Sequence, residues 1–122
     1  MKQLFLAATF SAFVGIAHAE KLTVTVIGVG LNSCGSWTEA RSTNGTAARV
    51  YESWVDGFLS GSNEFILSQL KLDPLHEQLI GDAKGLYRWM DDYCQAHPLN
   101  SIYAAADALD TELIRRTQAL HR

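Results

Sequence analysis

The 122 residues hold two cysteines, Cys34 and Cys94, and a chain with two thiols has one intramolecular pairing open to it. Whether that bond forms depends on the compartment, and the first nineteen residues bear on it. Lys2 supplies a positive start, residues 4–17 are apolar except for Thr9, Ser11 and Gly15, and Ala17-His18-Ala19 offers the small-x-small site that a signal peptidase accepts. This pattern predicts a signal peptide over residues 1–19 and one mature domain over 20–122, in the periplasm or secreted. The competing reading is an uncleaved anchor, for which the apolar run is short. Leu31-Asn32-Ser33-Cys34 has the outline of a lipoprotein box, but Cys34 stands far beyond the edge of that run. An oxidising compartment keeps a disulfide formed, and closing a loop of about 60 residues stabilises by about 4 kcal/mol on chain-entropy grounds. Redox-active or metal-binding thiols are the competing use. The sequence has no Cys-x-x-Cys and no histidine at ligand spacing from either cysteine.

Charge narrows the partners. The formal net charge is −3, and cleavage removes one basic residue, Lys2, and no acidic one. A nucleic-acid partner needs clustered Lys and Arg, whereas only Arg115-Arg116 are adjacent here and read as a solvated helix end. No nucleic acid is expected, and no membrane insertion after cleavage, since no later stretch is long and apolar enough for a bilayer helix. A mature length of about a hundred residues suits one domain with one core.

The periodicity predicts a mainly α fold of three to five helices with a short extended N-terminal arm, tied by the disulfide. Residues 22–26 alternate and run into Ile27-Gly28-Val29-Gly30, an extended segment. Residues 32–46 are rich in Asn, Ser, Thr and Gly, which predicts an irregular segment with Asn44-Gly45 as its turn and Cys34 within it. Helical spacing starts at Ala47, with Val50, Trp54 and Phe58 four apart beside Tyr51, Val55 and Leu59. Thr46 is the expected cap and Ser60-Gly61-Ser62 the expected end. A short helix over residues 63–72 then breaks at Asp73-Pro74, followed by a restart with Leu75, Leu79 and Ile80 on its apolar edge. Gly81-Asp82 opens the next helix, where Leu86, Trp89, Met90, Tyr93 and Cys94 share a face, and Pro98 stops it. Asn100 or Ser101 caps a last helix carrying Ile102, Ala105, Ala106, Leu109, Leu113 and Leu120 at the 3.6-residue period. On this reading the bond ties a loose N-terminal arm to the helical core.

Catalytic patterns are sparse. Asp91-Asp92-Tyr93-Cys94 invites comparison with the His-Asp pair of secreted phospholipases, but the histidine and the calcium-binding glycine loop are missing, so a solvated acidic face is the simpler reading. His76, His97 and His121 are spaced too widely to share a helical face, and no metal site is predicted. Gly57-Phe58-Leu59-Ser60-Gly61 puts Ser60 one position off a nucleophile elbow, and Gly28-x-Gly30 lacks the rest of a dinucleotide fingerprint. No cofactor is predicted, and a non-enzymatic protein-binding domain is favoured over a secreted enzyme.

Aromatic residues are the more telling class. Trp37, Tyr51, Trp54, Phe58, Phe65, Tyr87, Trp89, Tyr93 and Tyr103 fall mostly on helical stripes and are core by default; any left exposed would be candidates for an interaction surface. Gly57, inside a predicted helix, costs about 1 kcal/mol relative to alanine. It is therefore expected to be a close-packing position where another backbone approaches.

The arrangement of Cys34-Gly35-Ser36-Trp37 with Ala40-Arg41, Trp54 leading to Gly57-Phe58-Leu59-Ser60-Gly61, Trp89 to Tyr93-Cys94, and Pro98-Leu99 resembles a group of small exported bacterial proteins of unassigned function. In plan, a helical domain with one Cys-to-helix disulfide, it is more distantly similar to the Rap1a/Tai immunity proteins and the HdeA acid-stress chaperones. The first resemblance of plan implies a periplasmic inhibitor whose partner is a cell-wall-degrading toxin. The second implies a dimer that opens at low pH and shields unfolded envelope clients, a role less suited to aromatic-rich helices with a firm core. Neither family supplies a catalytic motif to carry over.

Overall fold

Ser33 starts a helix where the composition predicts a loop. Its side chain accepts from the backbone N–H of Ser36 at 3.3 Å, the bond by which a serine N-cap satisfies one of the orphan donors of a first turn. Two more are met by tertiary contacts: Cys34 N–H donates to the Asn100 carbonyl at 2.7 Å and Gly35 N–H to that of Pro98 at 3.0 Å. The helix, α1, runs Cys34–Thr43 and ends at Asn44 in the left-handed region, φ 47°. The predicted turn is therefore real, but the polar stretch before it is helical. Its inward residues, Cys34, Trp37 and Ala40, are buried, and that burial outweighs the modest helix propensity of Ser, Thr and Gly.

The structure, a computed structural model, describes residues 23–71 and 82–120. The predicted signal peptide, the predicted restart at Asp73-Pro74, His76 and His121 lie outside the described residues. Residues 23–27 have no regular secondary structure, with Ile27 extended, and the glycines after them form a short 3-10 turn, Gly28–Leu31.

Helix α2 spans Thr46–Leu70, with Gly45 as its N-cap, so Thr46 is the first helical residue and not the cap. It passes through Ser60-Gly61-Ser62 without the expected break. Leu59 and Leu67, on either side, are both 1 % exposed, and the Ser62 hydroxyl donates to Asp110 at 2.6 Å. These anchors outweigh the glycine penalty of about 1 kcal/mol. The inward face is Ala48, Val55 and Leu59, with Tyr51, Trp54 and Phe58 packed at its margin. Val50 and Phe65, expected inside, are exposed, because the stripe drifts round a 25-residue helix and only part of it meets a neighbour.

Asp82 caps α3, Ala83–Ala96, as predicted, accepting from Lys84 and Gly85 N–H. Leu86, Met90 and Cys94 turn inward. Helix α4, Ile102–Leu120, buries Ile102, Ala105, Ala106, Leu109 and Leu113. Among the described residues, four α-helices thus surround one core, and Cys34 and Cys94 are bonded and fully buried within it. The disulfide joins the start of α1 to the end of α3, so it links helix to helix rather than a loose arm to a helix. Beside it, Ile102 N–H donates to the Asn32 carbonyl at 2.9 Å, closing a one-rung antiparallel bridge between Ser33 and Ser101.

The other end of α1 has a polar clasp. Arg41 donates from Nε to Asp91 Oδ1 at 3.0 Å and from Nη2 to Oδ2 at 2.9 Å, and pairs with Glu52. The fully buried Trp37 donates its indole N–H to the same Asp91 oxygen at 2.8 Å. The Arg41 guanidinium also lies over the Trp37 and Tyr87 rings, 5.7 and 5.5 Å from their centroids. Asp91 therefore ties α1 to α3 and is no member of a solvated acidic face.

Candidate functional site

Trp54 and Phe58, one helical turn apart on α2, stack with centroids 5.6 Å apart and planes 12° from parallel, and Tyr103 of α4 meets Phe58 edge-on at 5.7 Å. Their spacing on the helix sets this: residues i and i+4 lie on one face, and α4 crosses beside it. Opposite stand Val24, Val26 and Ile27 of the N-terminal arm. Between the two walls runs an open groove of about 430 Å³, with Gly57 on its floor.

Two glycines place the arm. Gly28 has φ +73°, a left-handed conformation open to glycine at little cost, and it turns the arm into the 3-10 turn. Gly30 is buried against Trp54 so closely that a Cβ would overlap the indole ring. The indole N–H then donates to the Ile27 carbonyl at 2.9 Å. Val24 and Ile27 remain 69 % and 76 % exposed, so the arm leaves large apolar side chains in water at the lip of an aromatic-walled groove.

Gly57 corrects the close-packing expectation. Nothing lies within 4 Å of a Cβ built on it, so no backbone crosses there; Gly30 is the glycine that makes room for a neighbour. Of the residues singled out in the sequence, the fold brings Trp54, Gly57 and Phe58 together at the groove. It does not bring the others there: Trp37 is core, and Trp89 and Tyr93 stack on each other along α3 at 5.4 Å, with His97 continuing the row at 4.7 Å from Tyr93. Tyr93 accepts from the Asn100 side chain at 3.0 Å.

Polar groups sit mostly away from the groove. Tyr87 donates to Asp56 at 2.6 Å, and burial, then that carboxylate, push its phenol above the ordinary tyrosine value. On the solvent side of α4, hydrogen bonds from Arg115 and then Arg116 lower the Glu112 carboxyl to about 2, so the adjacent arginines are paired within their own helix. Among the described residues no group of three or more His, Cys, Asp or Glu side chains is placed to hold a metal ion, and no helix is long and apolar enough to cross a membrane. The groove offers aromatic faces, aliphatic edges and a few hydroxyls, a lining that takes up apolar side chains.

The Arg41 clasp and the Gly30 contact escaped the sequence reading. Arg41 and Asp91 are 50 positions apart, and single-chain spacing carries no signal for such a pair. Gly30 had a weak one: two glycines close together before a tryptophan-bearing helix. No family model, curated protein or solved structure matches the chain.

Proposed function

We propose that this is an exported, non-enzymatic protein-binding domain that holds an apolar segment of a partner protein in the groove between the arm and α2. The observation that carries this reading is the exposure of Val24 and Ile27 beside the Trp54–Phe58 stack. Contiguous exposed apolar surface around aromatic anchors is characteristic of interaction sites. The export signal and the resemblance in plan to the Rap1a/Tai immunity proteins support a cell-wall-degrading toxin as the partner, with the domain protecting the envelope of the cell that makes it.

The test uses the open space at Gly57. Gly57→Arg places a long side chain into the groove without crowding the core. Cells exporting the wild-type protein should survive a toxin encoded beside its gene, and purified wild type should bind that toxin directly. Gly57→Arg should keep or raise its melting temperature and lose at least about tenfold in affinity, the scale of one interface anchor. Wild-type affinity in the variant would remove the groove from the interface, and absence of protection by the wild type would remove the immunity role.

A further inference from the structure

The way the arm is attached is a separate observation from what the groove is made of. Among the described residues, Val24, Thr25 and Val26 make no hydrogen bond, and residues 24–27 are tied to α2 by the bond from the Trp54 indole to the Ile27 carbonyl; Thr23, just before them, has an interaction of its own. Just beyond, attachment becomes firm. Gly30 is buried on Trp54, and the Asn32 carbonyl and Cys34 N–H are bonded to Ile102 and Asn100. Gly28 stands between the two regimes in a left-handed conformation.

From this contrast we infer that residues 24–27 form a hinged strap over the aromatic groove, turning at Gly28 and latched by the indole N–H of Trp54. Closed, the strap supplies the outer wall; open, it exposes the faces of Trp54, Phe58 and Tyr103. Val24 and Ile27 stay mostly in water even when closed, so their apolar surface gives small incentive to remain, and Val26 is the half-buried residue of the strap. A minor open state in the range of about 0.1–10 % is what such an equilibrium between two conformations populates. Its use in controlling access rests on the reading of the groove as a binding site, whereas the motion does not, and the experiment below contains no partner.

Two indole protons give an internal comparison. That of Trp37 is bonded to Asp91 in the closed core, that of Trp54 to the strap. In the disulfide-bonded protein, NMR hydrogen exchange should show the Trp54 indole proton exchanging at least about 100-fold faster than that of Trp37, as expected of local rather than global opening. Relaxation dispersion should appear at the amides of residues 24–27 and stop before Asn32. Trp54→Phe keeps a ring on Phe58 but removes the donor, and should lower the order parameters of residues 24–27 below about 0.6. Gly28→Ala, strained at this φ, should loosen the same residues while Trp37 stays protected. Equal exchange of the two indole protons, or an arm as rigid in Trp54→Phe as in the wild type, would overturn the strap. Strap motion without toxin binding would instead remove the proposed function and leave the strap standing.

Discussion

Asp91→Ala should lower the stability of the disulfide-bonded protein by about 1–3 kcal/mol. The largest share comes from Trp37. Its indole N–H is buried and donates to Asp91 Oδ1 at 2.8 Å, and a buried donor left without an acceptor costs about 1–3 kcal/mol. Because the Asp91 side chain is 38 % exposed, water can enter in place of the carboxylate, which keeps this share to about 1–2 kcal/mol. Arg41 loses its two-pronged bond but keeps Glu52 and two aromatic faces. At 26 % exposure the lost pair contributes up to about 1 kcal/mol. Urea unfolding followed by circular dichroism measures the sum, and an unchanged m-value certifies that stability alone has moved. Asp91→Asn retains an acceptor for the indole and should lose only the Arg41 share. In a double-mutant cycle, Trp37→Phe and Asp91→Ala should couple by about 1 kcal/mol. If Asp91→Ala falls within about 0.5 kcal/mol of wild type, the range of an ordinary surface change, the clasp contributes nothing and Asp91 is the solvated acid that its helix position predicts.

The two glycines should respond in opposite directions. Gly57→Ala should raise stability by about 1 kcal/mol through helix propensity, and Gly30→Ala should lower it by about 1–3 kcal/mol through overpacking on Trp54, with a changed near-ultraviolet spectrum; matching shifts in the two melts would reject the assignment of close approach to Gly30. Neither cysteine should be alkylated in the native protein, and replacing both by alanine should cost about 2–5 kcal/mol; a free thiol in the oxidised sample would contradict the buried bond. Absorbance at 295 nm should show the Tyr87 phenol ionising above the ordinary tyrosine value, and Asp56→Asn should bring it down without removing the effect of burial, which is the larger cause. Since the folded state holds this proton more tightly than the unfolded chain, its contribution to stability is whole below the unfolded value near pH ~10. It is lost as the pH rises through the folded value, so an alkaline melt in which Tyr87→Phe shows the same pH dependence as wild type would refute the assignment.

Much of the fold is legible in the chain because local chemistry and burial agree there. Asp82 caps α3 and Leu86, Met90 and Cys94 line its inward face as the period demands. Ile102 to Leu113 repeat the same agreement on α4, and Asn44 ends α1 where a left-handed residue is needed. The helical class and the pairing of Cys34 with Cys94 follow from periodicity and count. Where composition and burial disagree, composition loses. Residues 34–43 are polar and small enough to predict a loop, yet Trp37 and Ala40 are buried on α1 with its first turn pinned to the α3–α4 connection. Gly61 should interrupt α2, yet a bond to Asp110 and the burial of Leu59 and Leu67 hold the helix through it.

The site divides along the same line. That Trp54 and Phe58 share a face is a property of the α-helical repeat and could be read from the sequence alone. That their face borders an open groove, that Gly57 looks into it, and that Gly30 and Ile27 fasten an arm across from it are properties of tertiary placement. A mid-helix glycine has the same local cost whether a neighbour presses on it or water does, so the chain could announce that Gly57 was unusual but not that Gly30 was the glycine with a partner. Only the docking of the 3-10 turn on α2 decides that, because the distance between two segments is set by everything packed around them and by no residue in either.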